Sequence, residues 1–326
     1  MPLTQDARAS SLYRLVPALV AAVVAAGLNV VIPLASPLLV ALVLGLVVAN
    51  TPLADRRILQ DQAGLTRLLL RWGIVVLGLK LPVDAVLGIG VGGIAVVVGT
   101  VLITYYGTLA VGTRLGLEPR FVTLLAAGFS ICGAAAIAAV EDTVRARQRD
   151  VALAVALVTV FGSVMIVLVP WSAHLIGLDD RQAAVWAGAS IHEVAQVVAA
   201  GSVLGGGAVA LATTVKLGRV AMLAPMSILV ARRSAGEGSM TAPLLPWFVV
   251  GFVATAALRS TGLLPESALT VAGVVTNVLL AAGMFGLGLG IRLRELWPVP
   301  GRALALATLS TTVAAGSSLG LLALLM

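Results

Sequence analysis

Apolar residues run through this chain in long blocks, separated by short clusters of proline, glycine and arginine. Eleven blocks can be marked: 15–32, 37–53, 68–87, 89–112, 121–140, 151–171, 183–200, 207–230, 244–260, 267–290 and 303–325. Most approach the ~20 residues that a helix needs to cross a bilayer core. None shows the sustained alternation, over segments of about ten residues, that marks a membrane β-strand. A helix satisfies its backbone groups within its own segment, which lipid demands. Boundaries are predicted at Pro33 and Pro37, Pro170, Gly205–Gly207, Pro243 and Pro246, Pro265, and Pro298 with Pro300. The pattern predicts an all-α polytopic membrane protein.

Loop charge refines the count of crossings. Positive loops face the cytoplasm, so Arg8, Arg14, Arg56, Arg57 and Arg67 place the N-terminus there, and Arg114 with Arg120 follow suit. If all eleven blocks cross, Arg145, Arg147, Arg149, Arg232 and Arg233 fall outside. If the fifth and seventh blocks each enter and leave on one side, these arginines become cytoplasmic, as do Arg292, Arg294 and Arg302. The loop with Asp179 and Asp180 then faces out. The expectation is nine to eleven transmembrane segments, with about 121–140 and 183–200 broken or re-entrant. Those two blocks share an opening, GFSICGAAAIAA at 128–139 and GASIHEVAQVVA at 188–199. GIVVLGLKL (73–81) and GMFGLGLGI (283–291) form a second similar pair. Interrupted segments with inverted internal similarity point to a secondary transporter with a midplane site.

Composition agrees. Hydrophobic residues make up 60% and charged residues 11% of the chain, against roughly 25% charged in soluble domains. Mean hydropathy is +1.09. The net charge of +7 sits in short loops, as topology signals do, so no nucleic-acid partner is expected. A single cysteine excludes an internal disulfide. One transmembrane domain over 1–326, with no soluble domain appended, is the expected organisation.

Ionisable groups deep in a span each cost ~2.5–3.5 kcal/mol or more and are functional candidates by default. His192 and Glu193 lie in GASIHEVAQ, one residue short of a zinc-binding H-E-x-x-H. Gln196 stands where the second histidine would be, and the other histidine in the chain, His174, is 18 residues away. No metal site and no catalytic residue are therefore expected. His192 and Glu193 could carry a coupling proton, or Glu193 and Gln196 could coordinate Na⁺; the alternative is a hydrogen-bonded packing cluster. In TTVKLGR (213–219), Thr213, Lys216 and Arg219 share a helix face. Two cations and a hydroxyl suit an oxyanion, and an internal pair with Glu193 is the alternative. Ser130, Cys132 and Gly133 could present backbone amides to an anion or serve close helix packing. Lys80 with Asp84 reads as a structural pair, Asn50 and Asn277 as polar glue, and the glycines of GMFGLGLG as close helix contact.

Three stretches, GFSICGAAAIAAVEDT, GASIHEVAQVVAAG and ATTVKLGRVAMLAP, resemble the signature blocks of the YeiH-like family, which carries a sulfate-exporter label. The resemblance extends over roughly residues 14–320. It implies a bacterial inner-membrane transporter, distantly related to cation/proton antiporters and bile-acid-type symporters, with inverted repeats and unwound helices crossing at the substrate site. Matched by motif, its polar positions are Ser130, Cys132, His192, Glu193, Gln196, Lys216 and Arg219. Alanines stand at 134–136, where small polar residues are expected of the family. The functional expectation is a secondary transporter exporting a small anion, sulfate or an organosulfonate, coupled to H⁺ or Na⁺ and without a cofactor. A passive channel is the alternative, and an intramembrane enzyme the remote one. Expected partners are the lipid bilayer and the anionic substrate, and a homodimer is left open.

Overall fold

The computed structural model describes residues 5–31, 37–60, 62–81, 83–205, 207–235, 246–290, 292 and 300–326. These residues form helices and short 3₁₀ turns, with no strand among them. The helices are α1 Gln5–Val31, α2 Pro37–Ala49, α3 Ala63–Leu77, α4 Val83–Gly88, α5 Gly90–Arg114, α6 Pro119–Ser130, α7 Ala134–Val140 and α8 Gln148–Leu175. They continue with α9 Asp180–Ser190, α10 Val194–Leu204, α11 Ala208–Ala221, α12 Leu223–Ala235, α13 Trp247–Ser260, α14 Glu266–Leu289 and α15 Gly301–Leu325. Five spans are long and apolar enough to cross a membrane by themselves: α5, α8, α11 continued into α12, α14 and α15. The protein is an all-α polytopic membrane protein.

Local chemistry explains several boundaries. Pro119 opens α6 at a position where its missing N–H is no loss. Asp179 and Gln182 form a reciprocal cap on α9, at 2.7 and 3.3 Å. Pro170 does not end its segment: α8 runs through it to Leu175, since packed neighbours stabilise proline-bearing helices in membranes. The block 68–87 is split, because a 3₁₀ turn at Gly78–Lys80 separates α3 from α4. Pro33, Gly206, Pro243, Pro298 and Arg294 lie outside the described residues.

Packing sets the direction of each helix. A Cβ on Gly73 of α3 would meet Leu280, and one on Gly286 of α14 would meet Thr66, so α14 runs antiparallel to α3. The helices that carry the two similar glycine-bearing stretches thus pack on each other, with Gly73 against Leu280 and Gly283 against Leu70, and the stretches extend in opposite directions from that contact. Thr255 of α13 donates to the Val75 carbonyl at 2.6 Å, and Phe248 lies under Arg71 at 5.4 Å, so α13 runs parallel to α3. Gly99 faces Leu321 and Gly112 faces Leu306, which sets α15 antiparallel to α5. Arg292 reaches the Ala49 carbonyl at 3.0 Å, bringing the ends of α2 and α14 together.

Two segments do not cross. Arg120, at the start of α6, donates to the Arg145 carbonyl beyond α7 at 3.2 Å. A straight helix through α6–α7 would separate these residues by roughly 38 Å at 1.5 Å rise per residue, so the pair is a re-entrant hairpin. Asp180 and Ala183 of α9 share a cavity with Val203 and Leu204 at the end of α10, beside the end of α8. The pair α9–α10 is therefore a second hairpin, entering from the opposite end. Among the described residues the chain makes nine passes (α1, α2, α3, α5, α8, α11–α12, α13, α14 and α15) plus two hairpins. The arginines at 67, 71, 114, 120, 145, 147, 149, 232, 233, 292 and 302 gather at one end of the bundle. Asp84, Asp179, Asp180 and Glu266 lie at the other, with Arg181 and Arg259.

The helices sort into two packed groups. α1, α2, α3, α13 and α14 pack on one another, while α5 to α12 and α15 pack around the hairpins. Large apolar side chains such as Val160, Val164, Val167 and Trp171 of α8 face outward, as a lipid-facing surface requires.

Candidate functional site

The two hairpin tips meet in the interior of the second group, and their equivalent residues differ by 60 in number. Gly-x-Ser-Ile ends the first arm of each, at 128–131 and at 188–191. The helix then stops at Ser130 in one and Ser190 in the other, and restarts at Ala134 and Val194. Stopping a helix leaves its last carbonyls without partners, which inside a membrane demands another donor.

Lys216 and Arg219 of α11 are that donor, and both are fully buried. The Lys216 ammonium donates to the carbonyls of Ile131 and Ile191, each at 2.6 Å. The Arg219 guanidinium reaches Ser130 O at 3.1 and 2.7 Å and Phe129 O at 3.0 Å in the first tip. In the second it reaches Ala189 O at 2.5 Å and Ile191 O at 3.1 Å. No carboxylate forms an ion pair with either cation among the described residues. The negative ends of the α6 and α9 dipoles are the counter-charge. Their donors are directed at the protein, and neither side chain lines a cavity described here. Thr213, on the same helix, has a buried hydroxyl without a partner and is likewise absent from the cavity between the groups.

His192 and Glu193 part company. The chain bends at His192 and Glu193 between the two arms, with Glu193 itself in an extended conformation (φ −111°, ψ 151°), and the two side chains meet different neighbours. His192 turns towards α15, with Nε2 3.1 Å from the Thr311 hydroxyl and its ring edge-on to Phe129 at 4.8 Å. Glu193 turns towards the other helix group. Its Oε1 accepts from the Thr159 hydroxyl at 3.2 Å, the Ala134 amide at the start of α7 lies within reach of the carboxylate, and Oε2 is buried without completing a hydrogen bond. Gln196 is spent on the framework: Oε1 accepts from the Glu193 amide at 3.0 Å, and Nε2 donates to Thr159 O at 3.0 Å and Ser163 Oγ at 3.4 Å. A side chain on Gly162 would collide with that amide, so glycine there admits Gln196.

The first tip is shaped around the second. Gly133 has φ +72°, a region that favours glycine, and a Cβ there would lie 2.8 Å from Glu193 Cγ. Cys132 is buried next to it. Ser130 hydrogen-bonds its own helix, to Ala127 O at 3.3 Å, and contributes its carbonyl to Arg219.

A cavity of about 380 Å³ lies between the two helix groups. Its wall on the hairpin side includes Cys132, Ala134, Ala135, Glu193, Val194 and Ser202. The wall on the other side includes Leu38, Leu77, Lys80, Asn277, Leu280 and Met284. Lys80 forms no ion pair with Asp84 among the described residues; instead it faces this cavity. Lys80 and Asn277, which the sequence suggested as a structural pair with Asp84 and as polar glue, line this cavity, and Thr159 is the participant that sequence reasoning passed over. A signal for the last was present, since Thr159 and Ser163 stand one helical turn apart in an otherwise apolar span.

From the tips the cavity extends along the half of the bundle away from the arginines. At the arginine-rich end the groups are latched. Asp142, beyond α7, pairs with Arg71 and with Arg67 (3.5 Å) of α3. Glu141, outside the spanning segments, is buried beside them. Burial pushes its carboxyl up to about 7, assisted by the Asp142 charge and opposed by Arg67 and Arg71.

Comparison with known proteins places the chain. Residues 12–307 match the model of a family described as conserved hypothetical protein 698. The chain belongs to that family. Relatives of it are named UPF0324 membrane proteins, and one from Corynebacterium glutamicum is 40% identical over 280 residues, 84% of this chain and 81% of its own. Another from Pseudomonas aeruginosa is 40% identical, covering 78% of this chain and 76% of its own. A third, from Paracoccus pantotrophus, is named TauZ and is 37% identical over 83% of each chain. No solved structure matches. Membership of UPF0324 agrees with the YeiH-like resemblance of the three motif stretches.

Proposed function

We propose that this protein is a secondary transporter that exports a small organic anion by alternating access, with Glu193 carrying the coupling proton. The observation that carries this reading is the cavity between two helix groups, latched at one end and ending at mid-depth on the tips of two opposed hairpins. Secondary transporters place substrate at such discontinuous helices, near the midplane. In this reading Lys80 receives the anionic group, and Glu193 and Cys132 line the opposite wall. Lys216 and Arg219 hold the tips in register. Gln196 is tied to the Glu193 amide and to Thr159 and does not line the cavity, which favours a proton at Glu193 over Na⁺. The arginine-rich end lies in the cytoplasm, by the excess of positive loops, and the cavity then faces out.

The test is reconstitution in proteoliposomes with sulfate and a series of organosulfonates, with and without a pH or Na⁺ gradient. Gradient-driven flux that saturates with substrate supports the transporter. Flux that ignores both gradients assigns the protein to the passive channels. Orientation is tested separately with a cysteine at Arg147 in a Cys132→Ser background: labelling from the cytoplasmic face alone is expected.

A further inference from the structure

The charge balance of the cavity narrows the substrate, on the premise that the transporter reading holds. Among the described lining residues, Lys80 is the cation and Glu193 the acid, so the lining side chains carry no net charge; behind them Lys216, held on the Ile131 and Ile191 carbonyls, is the further charge that acts on Glu193. The lining hydroxyls are already used within their own helices, Ser202 on Val198 O at 3.0 Å and Thr276 on Ala272 O at 2.7 Å. Most of the remaining wall is aliphatic. An inorganic dianion would leave water for a site with one ammonium, a facing carboxylate and few free donors, and burying such charge unpaired is costly. The unpartnered Oε2 of Glu193 has the opposite requirement, a donor or a positive charge.

We infer that the substrate is a small amphoteric acid: an acidic headgroup for Lys80, a short apolar linker, and an ammonium for Glu193. One carboxylate cannot hold the ammonium and a proton together. Proton binding to Glu193 therefore releases substrate, and substrate binding releases the proton. That competition is the coupling step of an exchanger, and no covalent chemistry is involved.

The experiment uses the purified full chain in proteoliposomes and four probes: aminopropanesulfonate, propanesulfonate, aminobutanoate and sulfate. The wild type is expected to exchange aminopropanesulfonate at least about tenfold faster than propanesulfonate or sulfate, because a site built to pair a polar group rejects the analogue lacking it. Aminobutanoate separates carboxylate from sulfonate recognition: flux above propanesulfonate supports the ammonium contact with either headgroup. Glu193→Gln is expected to bring the two sulfonates to within about twofold and to remove the effect of pH on exchange. Lys80→Met is expected to slow both sulfonates together. Should Glu193→Gln fail to fold, lowering the pH on the wild type serves instead, slowing the amino form and sparing propanesulfonate. Propanesulfonate or sulfate moving as fast as the amino form overturns the inference and leaves the transporter intact. Absence of flux for all four probes, with monodisperse protein, overturns both.

Discussion

The two hairpins share a frame and differ where it matters. Each ends its first arm on Gly-x-Ser-Ile, each leaves carbonyls at its tip, and Lys216 holds the isoleucine carbonyl of both at the same 2.6 Å. The next two residues diverge: Cys132–Gly133 in one tip, His192–Glu193 in the other. The first tip gives up side chains so that the second can bring a carboxylate against it. A pseudo-symmetric scaffold thus carries an asymmetric site, with the repeated residues holding shape and the unrepeated pair supplying charge.

The largest predicted effect strikes the shared frame. Arg219→Ala leaves carbonyls of both tips without donors, and breaking a buried charged cluster costs roughly 3–5 kcal/mol. The expected outcome is loss of monodisperse protein on size-exclusion chromatography in detergent. A folded Arg219→Ala variant that merely bound anions more weakly would instead return the arginine to the substrate. Next comes the tip-specific backbone. Gly133→Ala combines positive φ with a clash on Glu193, about 1–3 kcal/mol of strain, and should lower the melting temperature by several degrees. Ala at the Cys132 position is expected to leave it nearly unchanged, because residue 132 carries no such constraint.

The divergent pair is separated by a milder comparison. His192→Gln should retain the pH response of transport, since His192 contacts Thr311 and Phe129 on the side away from the cavity. Glu193→Gln should abolish it. A pH response that survives in Glu193→Gln and vanishes in His192→Gln reverses these roles.

The smallest effect belongs to the latch at the arginine-rich end. Glu141 has its carboxyl raised to about 7 when closed and falls towards an ordinary 4.5 once exposed. The closed form therefore holds the extra proton between these values. Its advantage is full below about 4.5, declines as pH rises to 7, and is then lost. Accessibility of a cysteine placed near Thr143 should rise over that window, and Glu141→Gln should flatten the profile. A profile unchanged by Glu141→Gln assigns the response to another group.

Much of this was readable along the chain. The apolar blocks predicted helices, and the arginine clusters predicted that blocks five and seven turn back, because both signals are local and are set by the bilayer. The Gly-x-Ser-Ile repeat marked both tips. Its partners were not legible, because position along a helix does not say what a side chain meets. Lys216 and Arg219 suit an oxyanion by chemistry, and the helix ends that occupy them come from 25 to 90 residues earlier. His192 and Glu193 were read as one coupling pair; the bend at the hairpin tip sends them to different helices, α15 and α8. Lys80 was read with Asp84 on helical spacing, and a 3₁₀ turn redirects it to the cavity. Sequence alone determined the class, the crossings and the breaks, through hydrophobic length and charge. Only tertiary structure decided which buried charges are satisfied and which still face a cavity, since that depends on carbonyls and walls contributed by distant segments.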